Sequence, residues 1–134
     1  MNDRYLFKAK RIDNGEWIQG YLYGIWEKRY ILCGMTNDIP NMIEVDPTTI
    51  CQCTGLKDKD GKLIFENDIV KCLYNYYGEK GVYKCVDIGK VIYKEYICCF
   101  VATNGKDADY EWCEEEKEVI GNIFDNPELL ERDG

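Results

Sequence analysis

The chain contains no histidine and no serine. Ser–His and Cys–His nucleophilic pairs are therefore excluded within one chain. Histidine acid–base chemistry and histidine metal ligation are excluded with them. Any catalysis would have to rest on carboxylates, lysine, tyrosine, threonine or cysteine. Proline is scarce as well, with three residues at positions 40, 47 and 127, and no Pro/Ser-rich linker, internal repeat or low-complexity tract interrupts the chain. No apolar run approaches the roughly 20 residues that span a bilayer. The opening Met1-Asn2-Asp3-Arg4-Tyr5-Leu6-Phe7 meets Lys8 without the apolar core of a secretory signal, which argues against export. These absences lead us to expect a cytoplasmic protein with no membrane attachment.

Eight cysteines are present in 134 residues. In a secreted chain they would suggest disulfides, but a reducing compartment keeps thiols free. Cys51, Cys53, Cys72, Cys98 and Cys99 sit within apolar, strand-like runs, where cysteine packs as a small hydrophobe. Cys51-x-Cys53 lacks the spacing of a zinc or redox pair. No metal and no cofactor are expected.

The net charge of −8 is unevenly placed. Residues 1–40 carry 6 basic and 5 acidic side chains, residues 41–106 carry 9 of each, and residues 107–134 carry 2 basic and 11 acidic. The acidity peaks at Glu114-Glu115-Glu116. This balance argues against a nucleic-acid binder, whose phosphate contacts need clustered Lys and Arg. An acidic surface of this kind either aids solubility or meets a basic partner, nucleic-acid mimicry included.

Short alternating runs separated by turns dominate the pattern. Tyr5–Lys10 and Trp17–Trp26 flank Asp13-Asn14-Gly15 and predict an N-terminal β-hairpin. In the second arm Gln19, Tyr21 and Tyr23 share one face, and Ile18, Leu22 and Trp26 the other. Gly20 and Gly24 suggest a bulge or a close backbone approach. Tyr30–Cys33, Met42–Val45 after a loop holding Pro40, Thr48–Thr54, Asp68–Tyr74, one or two arms within Val82–Val101, and Glu118–Phe124 complete the predicted strands. Asn126-Pro127-Glu128, followed by Leu129 and Leu130, predicts a short helical turn at the C-terminus. The expected fold is mostly β: a small SH3-like β-barrel or a strongly bent antiparallel sheet. A single domain is expected over 1–134, with residues 1–50 as the hairpin region and 51–134 as the barrel region.

Two segments carry a family resemblance. Thr54-Gly55-Leu56-Lys57-Asp58-Lys59-Asp60-Gly61-Lys62 runs on into Leu63-Ile64-Phe65-Glu66-Asn67-Asp68-Ile69-Val70, and Glu118-Val119-Ile120-Gly121-Asn122-Ile123-Phe124-Asp125-Asn126-Pro127-Glu128-Leu129-Leu130 stands near the end. Both resemble long motifs of the YopX family of phage and prophage proteins. The stretch from Lys8 to Leu22 is similar to the family's opening more loosely. The resemblance implies phage or prophage origin and a small β architecture, and it implies no activity. Asn67 stands where the family usually has Gly, and Asn is the residue best able to keep the left-handed conformation there. Phe65 and Phe124 stand where Tyr is common.

Asp58, Asp60, Glu66 and Asp68 form the tightest carboxylate group. Such a group can do acid–base work, hold a hard cation, or cap turns by accepting from loop N–H groups. Turn capping is the expected role. Tyr74, Tyr76 and Tyr77 are read as a loop exposing amphipathic rings, and with Glu114, Glu115 and Glu116 they complete the candidate binding residues. No catalytic residue is assigned and no enzyme is expected. The expected function is a phage or prophage accessory protein that binds another macromolecule, a host or phage protein or a second copy. The alternatives are a nucleic-acid-binding small barrel and an acidic nucleic-acid-mimicking inhibitor of a host protein.

Overall fold

The alternating runs become antiparallel strands in the computed structural model, which describes residues 5–95, 98–103, 109–110 and 116–131. Among these residues there is no α-helix, and short 3-10 segments occur at Pro47–Thr49 and Pro127–Glu131. The chain divides into two compact units, Met1–Leu56 and Lys57–Gly134.

The first unit holds β1 (Phe7–Lys10), β2 (Trp17–Ile25), β3 (Lys28–Thr36), β4 (Ile39–Val45) and β5, which runs Cys51–Lys57 and ends at the boundary. The strand order is β4-β3-β2-β1-β5. The predicted hairpin is β1 with β2, paired from Phe7↔Gly20 to Lys10↔Trp17. Its inner face buries Ala9, Ile31 and Val45, with Phe7, Ile18, Leu22, Cys33 and Ile50 packed against them. These are the even positions of β2 and their partners, so one alternation defines the core.

This sheet curls. The end of β4 returns to the end of β1 through a bridge between Arg11 and Val45. Ile12 N donates to Glu44 O at 3.2 Å, and Asp46 N to Lys10 O at 2.8 Å. A single bridge is not a ladder, and neither sheet closes on itself among the described strands. Of the two expected forms, a barrel or a bent antiparallel sheet, the closed barrel is not formed by the described strands, which make open antiparallel sheets. Barrel closure needs a continuous staggered ladder between first and last strands. Here the return is limited to the residues around Arg11 and Val45.

Three local expectations are corrected. Thr48 and Thr49 are not strand: Asp46 caps Pro47–Thr49, its Oδ1 accepting from Thr48 N at 2.9 Å. An Asp before a Pro that fits the first turn starts a helical turn instead. Pro40 lies within β4 rather than a loop, which is tolerated because β4 is an edge strand of the sheet order. Trp26 does not continue β2. It occupies the first position of the two-residue loop Trp26-Glu27, with Ile25 paired to Lys28, at φ 53°.

The second unit begins with the turn at 58–62 and β6 (Leu63–Phe65), then β7 (Asp68–Gly78), β8 (Gly81–Lys94), β9 (Cys99–Thr103), β10 (Asp109–Tyr110) and β11 (Glu116–Asn122). Its five-stranded sheet has the order β10-β9-β8-β7-β11. Ile64, Val70, Cys72, Val91 and Ala102 form its core, with Phe100 and Val119 packed against it. Asn67 takes φ 69°, the left-handed conformation expected of it. The final 3-10 segment packs on β8, and Leu129 and Leu130 are half-buried. The expected short C-terminal turn is thus present.

Gly20 is required by close approach. A Cβ there would collide with the carbonyl oxygen of Leu32 and meet Ile31 Cγ2 at 2.8 Å. Gly20→Ala is expected to destabilise the fold by about 2–3 kcal/mol, the usual size of overpacking against fixed atoms. A lowered urea midpoint with unchanged m value would report it.

Candidate functional site: motif carboxylates and the outer face of the first sheet

Within the second unit, Asp58 sits where β5 has just ended and the chain reverses through Lys59-Asp60-Gly61. The reversal needs Gly61 at φ 84°. It leaves several backbone N–H groups pointing inward, and Asp58 collects them. Its Oδ1 accepts from Asp60 N and from Lys62 N, each at 2.9 Å, and its Oδ2 accepts from Val119 N at 3.0 Å. Asp58 is 8% exposed. Burial pushes its carboxyl pKa up. The N–H groups of Val119, Lys62 and Asp60, with the Lys62 charge, outweigh that and hold it below the ordinary Asp value. The two segments of the family resemblance thus meet on one side chain. Around it, Lys59 N donates to Lys117 O at 2.9 Å, and Lys59 Nζ lies 3.9 Å from Glu118 Oε1.

Asp68 plays the parallel part at the next reversal. It is 1% exposed, and its Oδ2 accepts from Phe65 N at 2.8 Å across the Glu66–Asn67 turn. Asn67 N donates to Val91 O at 2.8 Å, and Ile123 N to Asn67 O at 3.0 Å. Asp60 is exposed and Glu66 half-buried. Among the described residues no group of three or more His, Cys, Asp or Glu side chains could hold a metal ion. The carboxylate oxygens of Asp58 and Asp68 accept from backbone donors at their turns.

Tyr74, Tyr76 and Tyr77 do not form a loop. They belong to β7 and pair with Cys85, Tyr83 and Val82 of β8. Their high β-propensity prevails, and Gly78 and Gly81 close the hairpin instead of interrupting it. Tyr77 is exposed. The side chains of Tyr74 and Tyr76 lie outside the described residues, as do Glu114 and Glu115, while Glu116 opens β11 opposite Leu73. The buried thiols of Cys51, Cys53 and Cys72 fill core positions, as expected of structural cysteines.

The feature that sequence reasoning missed lies on the outer face of the first sheet. The register stacks its residues in rows: Ile25 with Lys28, then Tyr23 with Tyr30 and Glu44, then Tyr21 with Leu32 and Met42. Tyr21, Tyr23, Ile25 and Met42 are all exposed, and Trp26 at the hairpin tip is 94% exposed. Beyond these rows Lys8 and Lys10 place their ammonium groups 4.9 and 5.4 Å from the Trp17 ring centre, a cation–π arrangement. The signal was present in the odd positions 17, 19, 21, 23 and 25. Trp26 was misplaced by carrying the alternation one residue too far.

Strand order, two-unit organisation and the turn-capping carboxylates Asp58 and Asp68 define an antiparallel β protein. The model of the family described as YopX protein matches residues 7–131, so the chain belongs to the YopX family. No curated protein matches it. Among solved structures it is similar to protein EF1440 from Enterococcus faecalis. The two are 25% identical over 92% of this chain and 96% of that one, with a TM-score of 0.53.

Two outcomes follow for the carboxylates. Because the folded pKa of Asp58 is depressed, its stabilisation is complete above the unfolded carboxyl value of about 3.9 and is lost as pH falls through the lower folded value. Asp58→Asn should therefore cost about 2 kcal/mol near neutral pH. The gap to the parent protein should shrink below about pH 4, as read from urea unfolding at stepped pH. Asp68→Ala leaves Phe65 N without its carboxylate acceptor and should cost a similar amount, about 2 kcal/mol, visible as a lowered thermal midpoint.

Proposed function

We propose that this YopX-family chain is a phage or prophage accessory protein that acts without catalysis, by binding another protein through the outer face of its N-terminal sheet. The observation that carries the reading is a division of labour. The buried carboxylates of the family motifs are engaged by backbone N–H groups at 2.8–3.0 Å. Among the described residues the largest exposed apolar side chain, Trp26, stands at the tip of a strip of Ile25, Tyr23 and Met42. Trp, Tyr and Met are the residues enriched at protein interfaces, and Trp and Tyr are enriched among the few that carry most of the binding energy. Buried thiols at Cys51, Cys53 and Cys72 suit a reducing compartment, so the host cytoplasm is the place of action we infer. No helix among the described residues is long and apolar enough to cross a membrane. The curl of β1–β4, with its Arg11–Val45 return, supports an SH3-like relationship for this sheet.

A second reading, a surface for single-stranded nucleic acid, draws on Lys8 and Lys10 flanking Trp17. It would show as oligonucleotide binding that weakens steeply with salt. The net charge of −8 favours the protein reading.

A photo-crosslinking amino acid in place of Tyr23, introduced in cells that carry the protein, tests the proposal. The expected result is a discrete protein adduct that disappears when Trp26→Gly is added. Absence of any adduct, or adducts indifferent to Trp26, would sink it.

A further inference from the structure

Trp26 stands against the preferences of its own turn. The loop joining β2 to β3 has two residues, and the first takes φ 53°. Such tight hairpin loops favour Gly, Asn or Asp where φ is positive, and a bulky residue there is an outlier. The same sheet shows the ordinary solution one hairpin later, where Asn37 and Asp38 take φ 53° and 64°. The indole gains little in compensation, being 94% exposed. The backbone around it is nevertheless held: Arg29 Nη1 donates to Trp26 O at 2.8 Å and to Lys28 O at 3.0 Å. An unfavourable residue, presented rigidly and fully to solvent, is explained by a contact outside the folded chain.

We propose that this face pairs with a second copy of the chain about a two-fold axis, with Trp26 of each copy seated on the apolar rows of the other. The inference rests on the protein-binding reading above and specifies its first partner. Two observations select a second copy. The first is charge: across the rows defined by Ile25, Tyr23 and Met42 the face carries one cation, Lys28, and one anion, Glu44, on neighbouring rows. Neither joins an ion pair among the described residues. A two-fold axis brings Lys28 of each copy toward Glu44 of the other, so the strip is complementary to itself. The second is area. Burying the exposed parts of Trp26, Tyr23, Ile25 and Met42 removes on the order of 500 Å² per copy, about 1,000 Å² for the pair, which reaches the lower bound for a specific interface.

Sedimentation velocity from low to high micromolar concentration tests the pairing on the full chain. The parent protein is expected to pass from the 15.7 kDa monomer to a dimer as concentration rises. Trp26→Gly should weaken dimerisation at least tenfold while leaving the thermal midpoint unchanged or higher, since glycine suits the turn. Lys28→Glu and Glu44→Lys should each weaken self-association alone, and an equimolar mixture of the two should restore a dimer. A monomer at every concentration would overturn the inference, as would a dimer indifferent to Trp26 and to the charge exchanges. A monomer whose Tyr23 position still crosslinks to a different protein in cells would overturn it as well, while leaving the protein-binding reading in place. Salt-sensitive oligonucleotide binding to this face without dimerisation would replace the second copy with nucleic acid.

Discussion

The second unit depends on one carboxylate that has left water. A buried, ionised Asp is tolerable only when donors replace its hydration, and Asp58 has three, all from the backbone. Two of them belong to its own reversal, which any capped turn could supply. The third comes from Val119, 61 positions along the chain. That bond turns a local device into a long-range one. It links the loop that opens the unit to the strand that completes its sheet order. The Lys59–Lys117 backbone bond and the Asn67 bonds to Val91 and Ile123 repeat the arrangement nearby. Both ends of the unit are thus tied by polar contacts at its rim, while Ile64, Val70, Cys72, Val91 and Ala102 supply the apolar interior.

This has a bearing on how the family motif is read. A row of acidic residues in a recognisable pattern invites a catalytic or metal-binding interpretation. Here Asp58 and Asp68 accept from N–H groups, Asp60 N among them, while the Asp60 side chain is exposed and Glu66 half-buried. In this chain the two buried members of the pattern cap reversals of the backbone. The residue that folding does not explain, Trp26, lies outside both long motifs.

Much of the fold was legible in the sequence because β structure writes itself as alternation and turns. Asp13-Asn14-Gly15 fell where the chain reverses, and Ile18 and Leu22 share the face that packs on the core. The same logic failed where one residue decides an element's end. Alternation does not announce that a strand stops at Ile25, so Trp26 was grouped on the face of Ile18 and Leu22 although it lies in the turn, exposed to water. Pro40 reads as a breaker because its place at a sheet edge is a matter of topology. The tyrosines of β7 read as a loop because the partner strand that orders them begins only at Gly81. Barrel closure was overestimated for a related reason: short strands are common to closed and open sheets, and only the pairing of the outermost strands separates them. The roles of Asp58 and Asp68 were legible in kind, as turn caps, but the reach of Asp58 to Val119 was not, since sequence spacing carries no such distance.

Pro40 has one more effect. An outermost strand ordinarily offers a row of donors to any passing chain, and here that row is broken at its second residue. Pro40 thus withholds one ladder donor from any strand approaching this border. A surface rich in indole, phenol and thioether is thereby bordered by an edge less suited to sideways strand addition.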